Sequence, residues 1–225
     1  MEAFNSVVIS QMPFLLGGLW VALQLLALLL ILGLGLGLGI ALMEVYGHWT
    51  LRWAGILFER IFRGIPALVL LLLFYYGVTE FIELSAFTSA VLALGLRSAA
   101  YQSQIFRGVI QTVPAGQMAA ARAMGMPKHK AVFHIILPQA LRQAIGPWTN
   151  EFSSELKATS LAYVIGVVEL TRQGRYIISS TQGNVLLVFA VVAALYFVAN
   201  WLGNQLLYKL ERSLALPGFE TRRDD

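Results

Sequence analysis

Residues 15–43 run for 29 positions without a charged side chain, and residues 185–208 do so for 24. About 20 apolar residues of helix cross the hydrocarbon core of a bilayer, so either run is long enough to span it. In lipid the backbone N–H and C=O groups find no water, and a single segment can satisfy them only as a helix. Gly33, Gly35, Gly37 and Gly39 alternate with Leu and Ile and so read as helix despite their strand-like period. On a helix they form two overlapping pairs, Gly33/Gly37 and Gly35/Gly39, and small residues four apart let a second helix come close. That second helix belongs either to the same chain or to another subunit; the pattern leaves both open.

Composition points the same way. The 225 residues are 58% hydrophobic and 12% charged, where a soluble domain carries about 25% charge. The class is an all-α integral membrane protein, embedded in lipid. The first apolar run is too long for a signal peptide, and Glu2 stands where a cationic leader belongs, so this span is expected to be retained. With no cysteine there is neither a disulfide framework nor a thiolate metal site. The net charge of +4 fits the bias of basic residues toward inside loops better than a nucleic-acid partner, and none is expected.

Besides the two long runs, residues 66–82 and 87–106 read as spans. A weaker one lies within residues 145–168, interrupted by Asn150, Glu151, Glu155 and Lys157. Five crossings place the termini on opposite sides. With the N-terminus outside and the C-terminus inside, Arg52, Arg60 and Arg63 fall in the first inside loop. Arg107, Arg122, Lys128, Lys130 and Arg142 fall in the second, and Lys209, Arg212, Arg222 and Arg223 in the tail. Twelve of the 16 Lys and Arg are then inside, as the positive-inside rule requires. The outer loop, residues 78–85, carries only Glu80 and Glu83. The whole chain, residues 1–225, reads as one transmembrane domain with an inside loop at about residues 108–142. No long internal repeat is visible, which counts against a carrier built from inverted halves.

That loop contains a short helix. Pro114 suits a first helical turn, where its missing N–H would have no partner. Residues 115–124 favour helix except at Gly116, and Gly125 followed by Pro127 stops it. Ala119, Ala120 and Ala123 share one nearly bare face. Such a face either fits a groove in a partner or is an ordinary surface with a solvated Arg122.

Within the third span, Arg97, Tyr101 and Gln104 share a helical face. A cation there costs about 2.5–3.5 kcal/mol on insertion scales, so Arg97 needs a partner, a water-filled cavity or a ligand. In the weak span Glu151, Ser154, Glu155 and Ala158 lie together, with Trp148, Phe152 and Leu156 opposite. The two polar faces either line a pathway or hold an Arg97–Glu ion pair that fixes helix packing. Lys157 with Thr159 and Ser160 is either part of that face or a snorkelling lysine beside hydroxyls that satisfy backbone at a bend. Glu59, Arg60 and Arg63 before Pro66 fit an interfacial amphipathic helix, with solvated cytoplasmic charge as the favoured reading. His48, His129 and His134 lack a second ligand at metal spacing and read as surface residues. No metal site is expected.

Taken together, these motifs resemble the bacterial ATP-binding-cassette importer permeases, in their polar amino-acid branch. That family's loop carries Glu-Ala-Ala, three residues, Gly, nine residues, Ile, one residue, Leu-Pro. Here Ala120-Ala121, Gly125, Ile135 and Leu137-Pro138 match, and Gly116-Gln117 and Gln139-Ala140 flank them in the manner of that branch. Further matches are Phe62-Arg63-Gly64-Ile65-Pro66, Ala100-Tyr101, Phe106-Arg107-Gly108, Asn150-Glu151-Phe152, Lys157, Thr159-Ser160-Leu161, Ile165 and Glu169-Leu170. The resemblance covers about residues 15–219. Two positions depart from it: Ala119 replaces the glutamate of Glu-Ala-Ala, and Gln104 replaces a frequent glutamate of the third span.

The resemblance implies a type I importer permease fold in the bacterial cytoplasmic (inner) membrane. A second, identical or paralogous permease would complete the pathway, a separate ATPase would use ATP and Mg²⁺, and an extracytoplasmic solute-binding protein would deliver an amino acid. It implies ATPase coupling through Pro114, Gly116, Gln117, Ala119, Ala120, Ala121, Arg122, Ala123, Gly125, Leu137 and Pro138. Breaks at Pro114, Gly125, Pro127 and Pro138 would release the loop at both ends. The substrate pathway would use Arg97, Tyr101, Gln104, Glu151, Ser154, Glu155 and Lys157, and Gln104 in place of Glu leans away from basic amino acids. The chain itself carries no G-x-x-x-x-G-K-[ST], H-E-x-x-H or G-x-S-x-G, so neither ATP-binding, a cofactor nor catalysis is expected of it. A self-sufficient ion-coupled carrier is the alternative.

Overall fold

The computed structural model describes residues 2–181 and 185–214, and among them there are helices and turns but no strand. Arg222 and Arg223 of the inside tail, and the last residues of the resemblance to Phe219, lie outside the described residues. The first helix, α1, is Glu2–Tyr46, longer at both ends than the uncharged run that announces it. At 1.5 Å per residue its 45 residues exceed the thickness of a bilayer core of about 30 Å.

Helix α2, Trp49–Gly64, turns sharply at Pro66 into α3, Ala67–Leu72. The chain then continues through a wide π-helical turn, Leu73–Gly77, and a 3-10 turn, Val78–Glu80. The bend between the two arms is 100°. Its cause is local, since Pro66 has no N–H to continue a helix and biases Ile65 toward extended backbone; Ile65 sits at φ −92°, ψ 130°. Trp49, Trp53 and Leu57 of α2 are exposed at i, i+4, i+8, the stripe of an interfacial helix.

Helix α4, Ala86–Thr112, is capped by Ser85, whose hydroxyl accepts from the Thr88 N–H at 3.1 Å. Then come α5, Ala115–Ala123, and α6, Lys128–Ala131. A π-helical turn, Val132–Ile136, leads straight into α7, Leu137–Ala158. Pro138 therefore does not break the chain as expected from the loop pattern. It sits in the first turn of α7, where a missing N–H is tolerated, and the wide turn before it carries the helix onward. The expected loop at 108–142 shrinks accordingly to α5 and its two short joints. After α7 a 3-10 segment, Thr159–Ile165, ends at Gly166; then follow α8, Leu170–Thr181, and α9, Val185–Leu214.

By length and apolarity, Ser10–Tyr46 and Val185–Leu214 qualify as membrane spans, and the bent pair Trp49–Gly64 with Ala67–Glu80 adds a third at most. Helices α4 and α7, with 27 and 22 residues, are long enough but too polar on one side.

Helix α1 packs along α4, and this is where the glycines act. A Cβ at Gly33 would collide with the Gln102 amide, and one at Gly37 would lie 2.9 Å from the Ala99 carbonyl oxygen. At Gly35 and Gly39 it would meet nothing within 4 Å. The close approach is thus within the chain for one pair, while the other faces outward. Beside this contact the fully buried Gln102 donates to Ser98 Oγ at 3.1 Å and accepts from Trp148 Nε1 of α7 at 2.8 Å. Each such bond in lipid is worth about 1 kcal/mol, so Gln102 ties α4 to α7.

Candidate functional site

The polar face of α4 starts from its apolar surroundings. Leu94 and Ala99 on neighbouring faces are fully buried, which leaves Arg97, Tyr101 and Gln104 as a stripe one helical face wide. Arg97 Nη1 donates to Glu155 Oε1 of α7 at 2.8 Å, with side-chain exposures of 17% and 0%. The Arg97–Glu ion pair, one of the two readings of this face, is formed, and Glu155 is its partner.

The stripe continues as a ladder. The Arg97 guanidinium lies 4.6 Å from the centre of the Tyr101 ring, and Arg63 of α2 lies 5.1 Å from the same ring. Arg63 pairs with Glu59 at 2.8 Å. Glu59 also accepts from Gln104 Nε2, and Arg107 Nη1 lies 3.6 Å from it. Arg107 donates to Glu44, near the end of α1, at 2.6 Å. Carboxylates and guanidiniums thus run from α7 across α4 and α2 to α1, alternating in sign except at Tyr101, where two guanidiniums share one ring. Glu44, Glu59 and Glu155, the buried carboxylates of this ladder, each have a cation beside them, as a charge removed from water demands. The solvated reading holds for Arg60 and Arg63 and is overturned for Glu59. Glu59 is 6% exposed and bonded to Arg63, while Arg60 and Arg63 stay exposed. The i, i+4 spacing of Glu59 and Arg63 is a readable signal; no pattern links Glu44, at the end of the long uncharged run, to them.

On α7, Phe152 and Leu156 turn into the bundle, Phe152 against Gly203 of α9 and Leu156 against Leu26 and Leu30 of α1. This places Glu151 and Glu155 on the opposite, α4-facing side. Both are buried, and Glu151 Oε1 and Glu155 Oε2 have no hydrogen-bond partner among the described residues. Ser154 is half-buried beside them, and Lys157 is exposed, away from the ion pair. Thr159 and Ser160 hydroxyls donate to the carbonyls of Leu156 and Lys157, both at 2.7 Å, satisfying backbone where α7 tightens into the 3-10 segment.

The short helix α5 is held at both ends. Pro114 is its N-cap, one position earlier than the expected first turn. At the other end Met126 N–H bonds Ala121 C=O at 3.1 Å and Gly125 N–H bonds Arg122 C=O at 3.0 Å. These two bonds with Gly125 at φ +81° make a Schellman cap. Ala121 is fully buried and Met118 packs against Val113, Ile136 and their neighbours. Gly116, Gln117, Ala119, Ala120, Arg122 and Ala123 are exposed. The bare alanine face therefore points away from the chain. His48, His129 and His134 are exposed. Among the described residues no group of His, Cys, Asp or Glu could hold a metal.

Comparison with known proteins supplies the family. The sequence profile of binding-protein-dependent transport system inner membrane components matches residues 30–215. The octopine transport system permease protein of Rhizobium meliloti is 37% identical over 219 residues, covering 93% of this chain and 89% of its own. The L-cystine transport system permease protein of Bacillus subtilis is 36% identical over 203 residues, covering 90% and 87%. A crystal structure of an amino acid ABC transporter with histidines superposes with a TM-score of 0.84 at 36% identity, over 92% of this chain and 96% of that one. The MetNI methionine ABC transporter, in an inward-facing form, reaches 0.79 at 19% identity over 92% and 99% and shares the fold. By this profile match and these relatives, the chain belongs to the family of binding-protein-dependent transport system inner membrane components.

Proposed function

We propose that this chain is the pathway subunit of an ATP-driven amino-acid importer in the bacterial inner membrane, with five crossings, the N-terminus outside and the C-terminus inside. The observation that carries the coupling role is α5: nine residues, rigidly capped, anchored by Met118 and Ala121, with its alanine face open. A separate ATPase subunit would receive that face in a groove, and closure of the ATPase on ATP and Mg²⁺ would move α5 as a lever. Docking would rely on shape and on Arg122, Lys128 and Lys130, since Ala119 stands where relatives of this branch carry an acid.

The ladder supports the pathway. An amino acid brings one ammonium and one carboxylate, and the Arg97–Glu155 pair offers a counter-charge for each. Glu151 Oε1 and Glu155 Oε2, buried without donors, are acceptors an ammonium would satisfy. Gln104 is engaged by Glu59, so its replacement of Glu carries no weight for substrate charge. A second permease, identical or paralogous, would close the polar face of α4 and α7 from the other side, and a solute-binding protein would deliver substrate from outside.

The test is reconstitution in liposomes with the partner ATPase and binding protein, following uptake of labelled glutamine, glutamate, cystine and arginine. ATP-dependent uptake of at least one is expected, with none from an ion gradient alone. Full uptake driven by a sodium or proton gradient without the ATPase would refute this reading in favour of a self-sufficient carrier.

A further inference from the structure

Of the 16 Lys and Arg, four fall outside the inside loops and tail: Arg97, Lys157, Arg172 and Arg175. Arg97 is neutralised by Glu155. Arg172 and Arg175 stand three apart on α8, whose other face, Leu170 and Ile177, is buried against Leu15 and Val188. Helix α8 lies beside the first half of α1, where a Cβ at Gly18 would touch the backbone of Leu170. Gly166, just before α8, lies near Ala86 at the start of α4. This is the end of the molecule opposite α5, hence the outside in the orientation proposed above.

The two arginines line a cavity of about 480 Å³ with Tyr163, Val164, Tyr176 and Ser179. Arg172 Nε donates to the Tyr176 hydroxyl at 2.7 Å and Nη1 to the Tyr163 carbonyl at 2.9 Å. Arg175 lies 5.3 Å from the centre of the Tyr163 ring and is exposed. Every contact that fixes these guanidiniums is to a neutral group. Among the described residues neither has a carboxylate within ion-pair distance, whereas Arg63, Arg97 and Arg107 each do. The nearest acid in sequence, Glu169, is fully buried and spends its oxygens on the N–H groups of Thr171 and Arg172 and on Tyr196. Tyr163 and Tyr176 thus hold two positive charges in place at a cavity mouth and leave both uncompensated. That arrangement attracts a carboxylate and steers an acidic surface toward it.

We infer that the Arg172/Arg175 cavity on the outer end of α8 is a docking point for an acidic side chain of the extracytoplasmic solute-binding protein. The inference rests on the importer reading above. The family is binding-protein-dependent by description, and a partner protein, unlike a free amino acid, meets this outer rim as a surface. A charge pair at a partly wet rim acts mainly on association rate and salt dependence.

The experiment uses the permease assembled with its ATPase in lipid nanodiscs and a purified solute-binding protein that stimulates the wild-type complex. ATPase stimulation is titrated with substrate-loaded binding protein at two salt concentrations. Arg175→Glu is expected to raise the half-saturating concentration at least tenfold and to flatten its salt dependence, while Arg175→Lys stays within about twofold. Because the chain has no cysteine, Arg175→Cys carrying a photo-crosslinker gives one defined adduct, expected with the binding protein. An unchanged half-saturating concentration in Arg175→Glu overturns the inference. So does an adduct with the second permease, or an effect confined to substrate concentration at saturating binding protein, which would assign the cavity to substrate carboxylate. A crosslinker at Met124→Cys, exposed at the end of α5, should reach the ATPase; if it captures the binding protein instead, the orientation and the importer reading fail, not this site alone.

Discussion

At the scale of single residues, the ladder rests on Arg97 and Glu155, and their burial makes the roles of pair and pathway separable. Removing one partner of a buried ion pair strands the other charge and costs about 3–5 kcal/mol; Glu155 is 0% exposed. Arg97→Leu should therefore lower the thermal midpoint of the purified permease–ATPase complex and abolish uptake. Arg97→Leu with Glu155→Leu removes both charges and should recover most of the midpoint while uptake stays lost. Recovered uptake in the double variant would mean that the pair only holds α4 against α7. The need for such a pair was legible in sequence, because a mid-span arginine must be answered. Its partner could not be chosen, since Glu151 and Glu155 lie on one α7 face and only the packing of Leu156 against Leu26 and Leu30 sets which one meets Arg97.

Among the elements, two helices show how far periodicity reaches. On α1 the glycine spacing announced close packing but not its direction. Gly37→Ala should destabilise the complex, because its Cβ would stand 2.9 Å from the Ala99 carbonyl oxygen and backbone cannot step aside without moving α4. Gly35→Ala and Gly39→Ala, with nothing within 4 Å, should shift stability by no more than about 0.5 kcal/mol in the single subunit. Equal losses at all four positions would place a second helix against the outward pair. On α5, the start, stop and bare face were readable because capping chemistry is local. The continuous helix through Pro138 was not, because a π-helical turn depends on what packs around residues 132–136. Gly125 has φ +81° and open space around it, so the cost of Gly125→Val is backbone strain of about 1–2 kcal/mol, and Asn should be milder. Uptake per ATP hydrolysed should fall in the order Gly, Asn, Val, and further in Gly125→Trp. A ratio unchanged across the series would remove the coupling role from this cap.

For the whole molecule, the decisive property is which end faces which side, and the sequence fixes it only through a weak span. Helices α4 and α7 fail simple apolarity because Arg97, Gln102, Glu151 and Glu155 sit on them, yet these side chains are turned toward one another and toward α1 and α2 rather than to lipid. A polar face satisfied inside the bundle is compatible with crossing. If both cross, α5 and the loop before α4 lie on opposite sides. Phe81, 86% exposed in that loop, and Met124, 74% exposed after α5, are suitable reporters in a chain without cysteine. In intact cells a membrane-impermeant maleimide should label Phe81→Cys and leave Met124→Cys untouched until the cells are opened. Were α7 not to cross, these two reporters would still differ, so a third is needed beyond it: Tyr176→Cys on α8, 45% exposed. Labelling at 176 from outside requires the crossing by α7, whereas labelling at 176 only after opening would leave α8 on the ATPase side, reduce the crossings to an arrangement without α7, and remove the outer docking cavity with it.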